Sequence, residues 1–483
     1  MSTDSIRKRA ANGAGWMTLE MLGIQATLFG VFVAISHFVE PRDFGLINIS
    51  YLSVQMLQML VLYNVDTAVA RKKAAPDIAY TTAFWIGMGI SFVGFLGLLI
   101  ASFFVDKVFN APGLAPVFRA MSIIILFMAL GRVHETWMLR HFRYKSLAVR
   151  GLVGAAASAA VGITMAVKGF GVMALVGQQV TNAVVTMALL WITCSWRPSF
   201  AFSRSVAAEI FHFMRSTVPN SLVYALNQNC DTFLIALVFG PASAGIYNVA
   251  KRLRLMLQLV MGAPINSISL ASLAEIQNEP QRLRVGILNL LMLICLIASP
   301  VFFGASAVSY EIIGVVFGTK WAAAAPVLEL LSLSGFALVV LAYGDVIFAL
   351  KKRQQMSLYI SISYTALALL IFAICRLMHI DSIALAFVLP YLVIFPLAAV
   401  LVSKCAALPL RDWVRAMLPG LSSSVVMMGI VKLVGSQLAG VSDLQRLVIL
   451  CAVGGVAYVA ILGIAWRAST RVLFDTARQV FHR

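Results

Sequence analysis

The stretch Pro41-Arg-Asp-Phe-Gly45-Leu-Ile-Asn48 returns, at an offset of 200, as Pro241-Ala-Ser-Ala-Gly245-Ile-Tyr-Asn248. Each copy follows an apolar run and opens another, so each marks a tight turn between two helices. Further along, Val108-Phe109 with Ala115-Pro116-Val117 and Ser122 matches Val316-Phe317 with Ala325-Pro326-Val327 and Ser332. The basic segments Leu139 to Leu147 (LRHFRYKSL) and Leu350 to Leu358 (LKKRQQMSL) then align in the same order. Three matches in the same order identify an internal repeat.

The background of that repeat is apolar. The chain has 483 residues, 61% of them hydrophobic and 12% charged, with a mean hydropathy of +0.92. Such a composition reads as a polytopic membrane protein. Apolar runs of helix-spanning length fall near 15–38 (α1), 45–69 (α2), 79–104 (α3), 117–139 (α4), 146–167 (α5), 170–193 (α6), 213–239 (α7), 242–270 (α8), 283–305 (α9), 324–349 (α10), 356–376 (α11), 381–403 (α12), 412–435 (α13) and 445–467 (α14). The sequence therefore predicts an all-α protein of fourteen transmembrane helices. The repeat spans six helices, an even number, so both copies cross the membrane in the same sense and are related by an axis along its normal. The expected organisation is an N-lobe over 1–200 (α1 to α6), a C-lobe over 201–405 (α7 to α12), and α13, α14 and a tail over 406–483, with the two lobes facing each other across a cavity. The longest loops, Asp106 to Pro116 and Trp196 to Glu209, leave no room for a soluble domain.

The formal charge of +18 does not read as nucleic-acid binding, because its distribution follows the membrane. With Arg7, Lys8 and Arg9 cytoplasmic, the same side gathers Arg71 to Lys73, Arg140 to Arg150, Lys351 to Arg353 and the C-terminal tail. The opposite loops carry only Arg42, Lys107, Lys168, Lys320, Arg376, Lys432 and Arg446. The positive-inside rule then places both termini in the cytoplasm. The start of the chain lacks a secretory cleavage site, and α1 is expected to remain as an anchor. The six cysteines (Cys194, Cys230, Cys295, Cys375, Cys405, Cys451) stand singly, without a CxxC or His-rich motif, and read as packing residues rather than metal ligands or disulfides.

Several polar residues remain inside the spans. On α8, Lys251, Arg254 and Gln258 fall on one face, and Arg252 is turned about 100° away. After a turn at Pro241, Lys251 to Arg254 lie roughly 14 to 18 Å inward, near mid-bilayer. A cation there costs roughly 2.5 to 3.5 kcal/mol on insertion scales, so three within four residues imply a polar interior with an anion to hold. The structural alternative is an ion pair with Asp231 or Glu20. On α7, Asn220, Tyr224, Asn227 and Asp231 share a face, and on α2 Asn48, Tyr51, Gln55 and Gln58 do so. For Gln55, Gln58 and Asn227 the competing reading is interhelical hydrogen bonding, worth about 0.6 kcal/mol each. Glu20 and Asp231, one acid on the first helix of each lobe, are candidate ion-coupling residues. Asp66, Arg132, Glu135 and Asp345, with His134, lie near cytoplasmic helix ends, where they read as a gate or a solvated helix end. Pro219, Pro264 and Pro300 are candidate kinks.

With two six-helix lobes, the Pro-x-x-x-Gly-x-x-Asn turn after α1 and α7, the segment Gly245-Ile-Tyr247-Asn248-Val-Ala250 and two additional C-terminal helices, the chain resembles the polysaccharide transporter branch of the multidrug/oligosaccharidyl-lipid/polysaccharide exporter superfamily, the Wzx-type flippases and their WzxC-like group. The resemblance implies translocation of an undecaprenyl-diphosphate-linked oligosaccharide across a bacterial inner membrane, by alternating access coupled to a proton or sodium gradient, without a cofactor and beside a polymerase and export machinery. Lys251, Arg252, Arg254 and Gln258 would then meet the diphosphate, Asn227, Tyr224, Gln55, Gln58 and Tyr51 the sugars, and membrane lipid the prenyl tail, with α13 and α14 forming a groove for it as in the related lipid II flippases. Two other functions remain open at this point: a drug/cation antiporter of the same superfamily, or a membrane polymerase or ligase acting on the same lipid-linked glycan.

Overall fold

The computed structural model describes residues 23–60, 62–71, 77–277, 279–377, 383–438 and 440–466. Among these residues every regular element is helical. Twelve stretches are long and apolar enough to cross a membrane. One of them, Arg204–Leu259, is 56 residues long and is two helices joined by a kink: at Gly240 the backbone takes φ 82° and ψ 175°, a conformation open to glycine. With Gly23–Ser36 as the described part of α1, the arrangement is consistent with fourteen passes. The observed bounds are Pro41–Ala70 for α2, Asp77–Ala101 for α3, Leu114–Arg140 for α4, Tyr144–Val167 for α5 and Val172–Thr193 for α6. They continue as 204–239 for α7, 241–275 for α8, Pro280–Ala307 for α9, Ala324–Leu350 for α10, Gln355–Leu377 for α11, Ile383–Cys405 for α12, Leu410–Gln437 for α13 and Asp443–Ala465 for α14.

The repeat is visible as local structure. Pro116 and Pro326 both sit in the first turn of their helices, α4 and α10, where the missing N–H breaks no helical hydrogen bond. Each helix is preceded by a short one, Val105–Val108 or Ser309–Phe317. Phe109 and Phe317 are buried at 4% and 1% exposure, and Ser122 and Ser332 at 0%. Equivalent sequence positions thus do equivalent packing.

The chain forms two compact units, residues 1–245 and 246–483. Within the first unit we call the side carrying Arg71 and Arg140 the basic face and the side carrying Pro41, Gly113 and Gly240 the opposite face. In the first unit α7 begins at Arg204, not near 213, so half of the expected Trp196 to Glu209 loop is helical. At 1.5 Å per residue its 36-residue length spans roughly 54 Å, against a hydrocarbon core of about 30 Å. Its first turns are held by packing: Val206, Ala207 and Ile210 join Val65 and Val69 of α2, Tyr80 and Phe84 of α3, Leu190 of α6 and Trp196 in one apolar cluster. Further along, Asn64 of α2 and Ser221 of α7 exchange a hydrogen bond at 3.2 Å, and Phe233 meets Phe109 edge-on at 5.2 Å.

The second unit is built around α9. Leu291, Ile294, Cys295, Ala298 and Phe302 pack on Phe336, Val340 and Tyr343 of α10 and on Trp413 and Met417 of α13. At Gly420 a methyl group would lie 2.6 Å from the Cys295 carbonyl oxygen, so α13 and α9 touch backbone to backbone. Ser424 donates to Ser299 at 2.8 Å, and Tyr458 of α14 donates to the Leu296 carbonyl at 2.7 Å. Ion pairs fasten its helices: Arg284 of α9 to Asp412 of α13 at 2.6 Å, and Arg446 of α14 to Glu311 at 2.9 Å with Lys432 of α13 to Glu329 of α10. Outward positions such as Val456 (72% exposed) and Ile464 (77%) are apolar, as contact with acyl chains requires. None of the six cysteines is joined in a disulfide.

Candidate functional site

The α8 cations occupy an interior position. Lys251 and Arg254 are 9% and 7% exposed, while Arg252 and Gln258 are half-buried. Residues 251, 254 and 258 recur at the three- and four-residue steps of one helical face, so burial of the first two follows from which face α8 turns inward. The Nε of Arg254 is buried with no hydrogen-bond partner, and among the described residues no carboxylate pairs with this side chain. A guanidinium keeps its charge at any physiological pH and offers five N–H donors. A buried arginine without an acid is therefore a site of unsatisfied positive potential, able to take an anion with two or more oxygens.

The polar stripes of α7 and α2 are at least partly accessible. On α7, Tyr224 is 55% exposed and its hydroxyl accepts from Gln228 Nε2 at 3.0 Å. Asn227 and Asp231 are half-buried, and Asp231 Oδ1 accepts from the Thr232 N–H at 2.6 Å. On α2, Tyr51, Gln55 and Gln58 are half-buried. Glu20 lies outside the described residues.

Three of the four expected gate residues come together. Arg132 of α4 donates from Nε to Asp66 of α2 at 2.6 Å and from Nη1 to Glu135 at 3.3 Å. Glu135 also accepts from Arg150 of α5 at 3.5 Å, a partner that sequence reasoning had assigned only to a basic loop. The signal was available: Arg150 falls two helical turns into an otherwise apolar α5, where a cation needs an acid. Gln58, Arg132, Glu135, Arg150 and Thr186 line a cavity of about 240 Å³ together with Phe127, Met128 and Met187. His134 does not belong to this set and is not a solvated helix end. It is 0% exposed, and its ring packs among Trp191, Trp196 and Phe84 at 4.7, 5.1 and 6.2 Å between centroids. Residues 132 and 135 share a helical face and 134 points away from it. Asp345 stands in the second unit and is exposed.

The second unit has an apolar groove of about 420 Å³, lined by Pro300 and Gly304 of α9, Met427 and Val431 of α13, and Leu450, Gly454, Gly455 and Tyr458 of α14. Pro300 and the glycines keep its walls low. No group of three or more His, Cys, Asp or Glu residues with metal-binding geometry occurs among the described residues.

Comparison with known proteins adds the following. The profile of the family described as "Polysaccharide biosynthesis protein" matches residues 34–326. The lipopolysaccharide biosynthesis protein WzxC of Escherichia coli (strain K12) is 24% identical over 337 residues, 68% of this chain and 68% of that protein. The succinoglycan biosynthesis transport protein ExoT of Rhizobium meliloti (strain 1021) is 23% identical over 327 residues, covering 68% and 66%. Among solved structures, the lipid II flippase MurJ in an inward closed conformation superposes with a TM-score of 0.72 at 12% identity, over 93% of this chain and 98% of that one. An inward-facing multidrug resistance transporter of the MATE family reaches 0.57 at 13% identity, over 82% and 99%. The structural likenesses establish the fold, which this chain shares with those two transporters.

Proposed function

The chain belongs to the polysaccharide biosynthesis protein family, and from that premise we propose that it flips an undecaprenyl-diphosphate-linked oligosaccharide repeat unit across a bacterial inner membrane, from the cytoplasmic to the periplasmic leaflet. The observation that carries this reading is Arg254, buried within an apolar helix with an unpartnered Nε and no paired carboxylate among the described residues. A diphosphate cannot enter hydrocarbon unaided, and Arg254 with Lys251 one turn away supplies charge and directional donors for it. Arg252 and Gln258 flank that anion site. Tyr224, Asn227, Tyr51, Gln55 and Gln58 present hydrogen-bonding groups suited to sugar hydroxyls. The apolar groove between α9, α13 and α14 supports a place for the prenyl tail, since its lining offers carbon almost throughout.

In this reading the functional lobes follow the repeat, 1–200 and 201–405, with 406–483 carrying the tail groove. The basic face is cytoplasmic, as are both termini. The Asp66–Arg132–Glu135 network is a gate element with Arg150, and Asp345 is its counterpart in the second repeat. Asp231 and Glu20 couple the cycle to a proton or sodium gradient. The protein is a transporter rather than an enzyme, and it hands its glycan to a polymerase and the export machinery.

The test is complementation of a deletion strain with Lys251→Ala or Arg254→Ala. The expected result is loss of glycan export and accumulation of the lipid-linked repeat unit on the cytoplasmic face, with mass spectrometry identifying its sugars. Wild-type export by both variants overturns the anion site. Dye efflux in place of glycan export would identify a cation antiporter, and unpolymerised units accumulating on the periplasmic face a polymerase or ligase.

A further inference from the structure

The two copies of the Pro-x-x-x-Gly motif touch each other. A methyl group built on Gly45 would lie 1.7 Å from the carbonyl oxygen of Pro241, and one built on Gly245 would lie 1.9 Å from the carbonyl oxygen of Pro41. The relation is reciprocal: the glycine of each motif faces the proline carbonyl of the other. The methyl on Gly245 would also come within 3.1 Å of the Gly45 nitrogen, so the glycines meet as well. Hydrogen is the only substituent that fits at either position. A Cα–H facing a carbonyl at this range is a weak hydrogen bond, of the kind that small residues allow where helices cross. Gly240, the non-helical residue of the kink, immediately precedes Pro241. The inner side is dry, with Phe44 at 2% and Ala244 at 0% exposure.

We propose that this crossing is a gate closing the opposite face, made of backbone alone, and that the two turns part when the transporter opens there. Three observations carry the inference. The contact joins the same motif in both repeats, the place where a motion relating the repeats would separate equivalent surfaces. Among the described residues neither an ion pair nor a disulfide ties the two turns, in contrast to the Arg446–Glu311 and Lys432–Glu329 pairs within the second unit. The contact is close but made of weak terms, which suits a surface that must seal and release. It also gives the motif's spacing a reason: proline starts the helix after the turn, and glycine four residues on, one turn further round the same face, is where the other carbonyl docks.

The use of such a gate rests on the transporter reading, but its test reads conformation without any glycan. In a chain with its six cysteines replaced, a reporter cysteine at Gln55, about 15 Å below the turn along α2, is treated with a membrane-impermeant maleimide in intact cells and in inside-out vesicles. With native glycines it reacts slowly from the opposite face. Gly45→Val and Gly245→Val should each raise that rate roughly tenfold or more, because overpacking forces the turns apart. Gly97→Val, at a position with nothing within 4 Å of the added carbon, should leave it unchanged. Equal rates in all three variants overturn the proposal. Should the valine variants fail to insert, spin labels at the exposed Glu40 and Ala242 read the native glycines directly. Two distance populations, the longer one favoured by conditions that open the opposite face, support the gate; a single short distance under every condition refutes it. A gate that opens in a protein that exports no glycan would overturn the proposed substrate and leave this inference standing.

Discussion

At the scale of single residues, burial and charge pairing separate two kinds of arginine. Arg132 is held by Asp66 and Glu135, and Glu135 in turn by Arg150, so two acids and two bases balance within the first unit. Removing one member leaves a buried charge uncompensated, at about 3 to 5 kcal/mol. Arg132→Met should therefore lower the melting temperature in detergent. Asp66→Asn added to it should recover part of the loss, since Glu135 keeps Arg150. A double variant melting no higher than the single one would show that the pairs are not coupled in this way. Arg254 is the other kind, a buried cation with an unpartnered nitrogen. Arg254→Lys, which keeps the charge and loses the fork, should retain partial export, and Arg254→Gln none. The sequence exposed both arginines, because a cation in an apolar run is conspicuous by itself. It could not say which was paired, because Asp66 lies 66 residues from Arg132 and only packing brings them together.

At the scale of elements, α7 differs from what hydropathy suggests. The polar first turns of α7, Arg-Ser-Val-Ala-Ala-Glu-Ile, read as a loop because their mean hydropathy is low. They are helical because Val206, Ala207 and Ile210 land on one face and meet α2, α3 and Trp196. The last two helices stand outside the repeat, yet α13 lies on α9 with its backbone in contact at Gly420. The groove they form with α9 gives a direct test at Gly455, which lines it and has nothing within 4 Å of an added carbon. Gly455→Trp should occupy the groove without a clash, lowering glycan transport roughly fivefold or more while the melting temperature stays within about 2 °C. Full transport at normal expression would place the prenyl tail elsewhere.

At the scale of the whole molecule, coupling to an ion gradient is the property to measure. Transport into inverted vesicles under imposed pH or sodium gradients should fall in Asp231→Asn and in Glu20→Gln; activity unchanged in both would remove these two acids as carriers. The sequence by itself determined the membrane class, a number of passes compatible with the fold, and which residues of α2, α7 and α8 share a polar helical face. Those properties are local, since hydropathy and the 3.6-residue period act over one or two turns. Only the tertiary structure decided which partners those residues meet: that Arg132 takes Asp66, that Glu311 takes Arg446, that His134 turns into an aromatic cluster, and that Gly45 and Gly245 face each other's proline carbonyls. Such choices depend on the angle and depth at which separate helices cross, and in a bilayer, where apolar side chains gain little by leaving lipid for protein, close packing and polar pairing set those crossings.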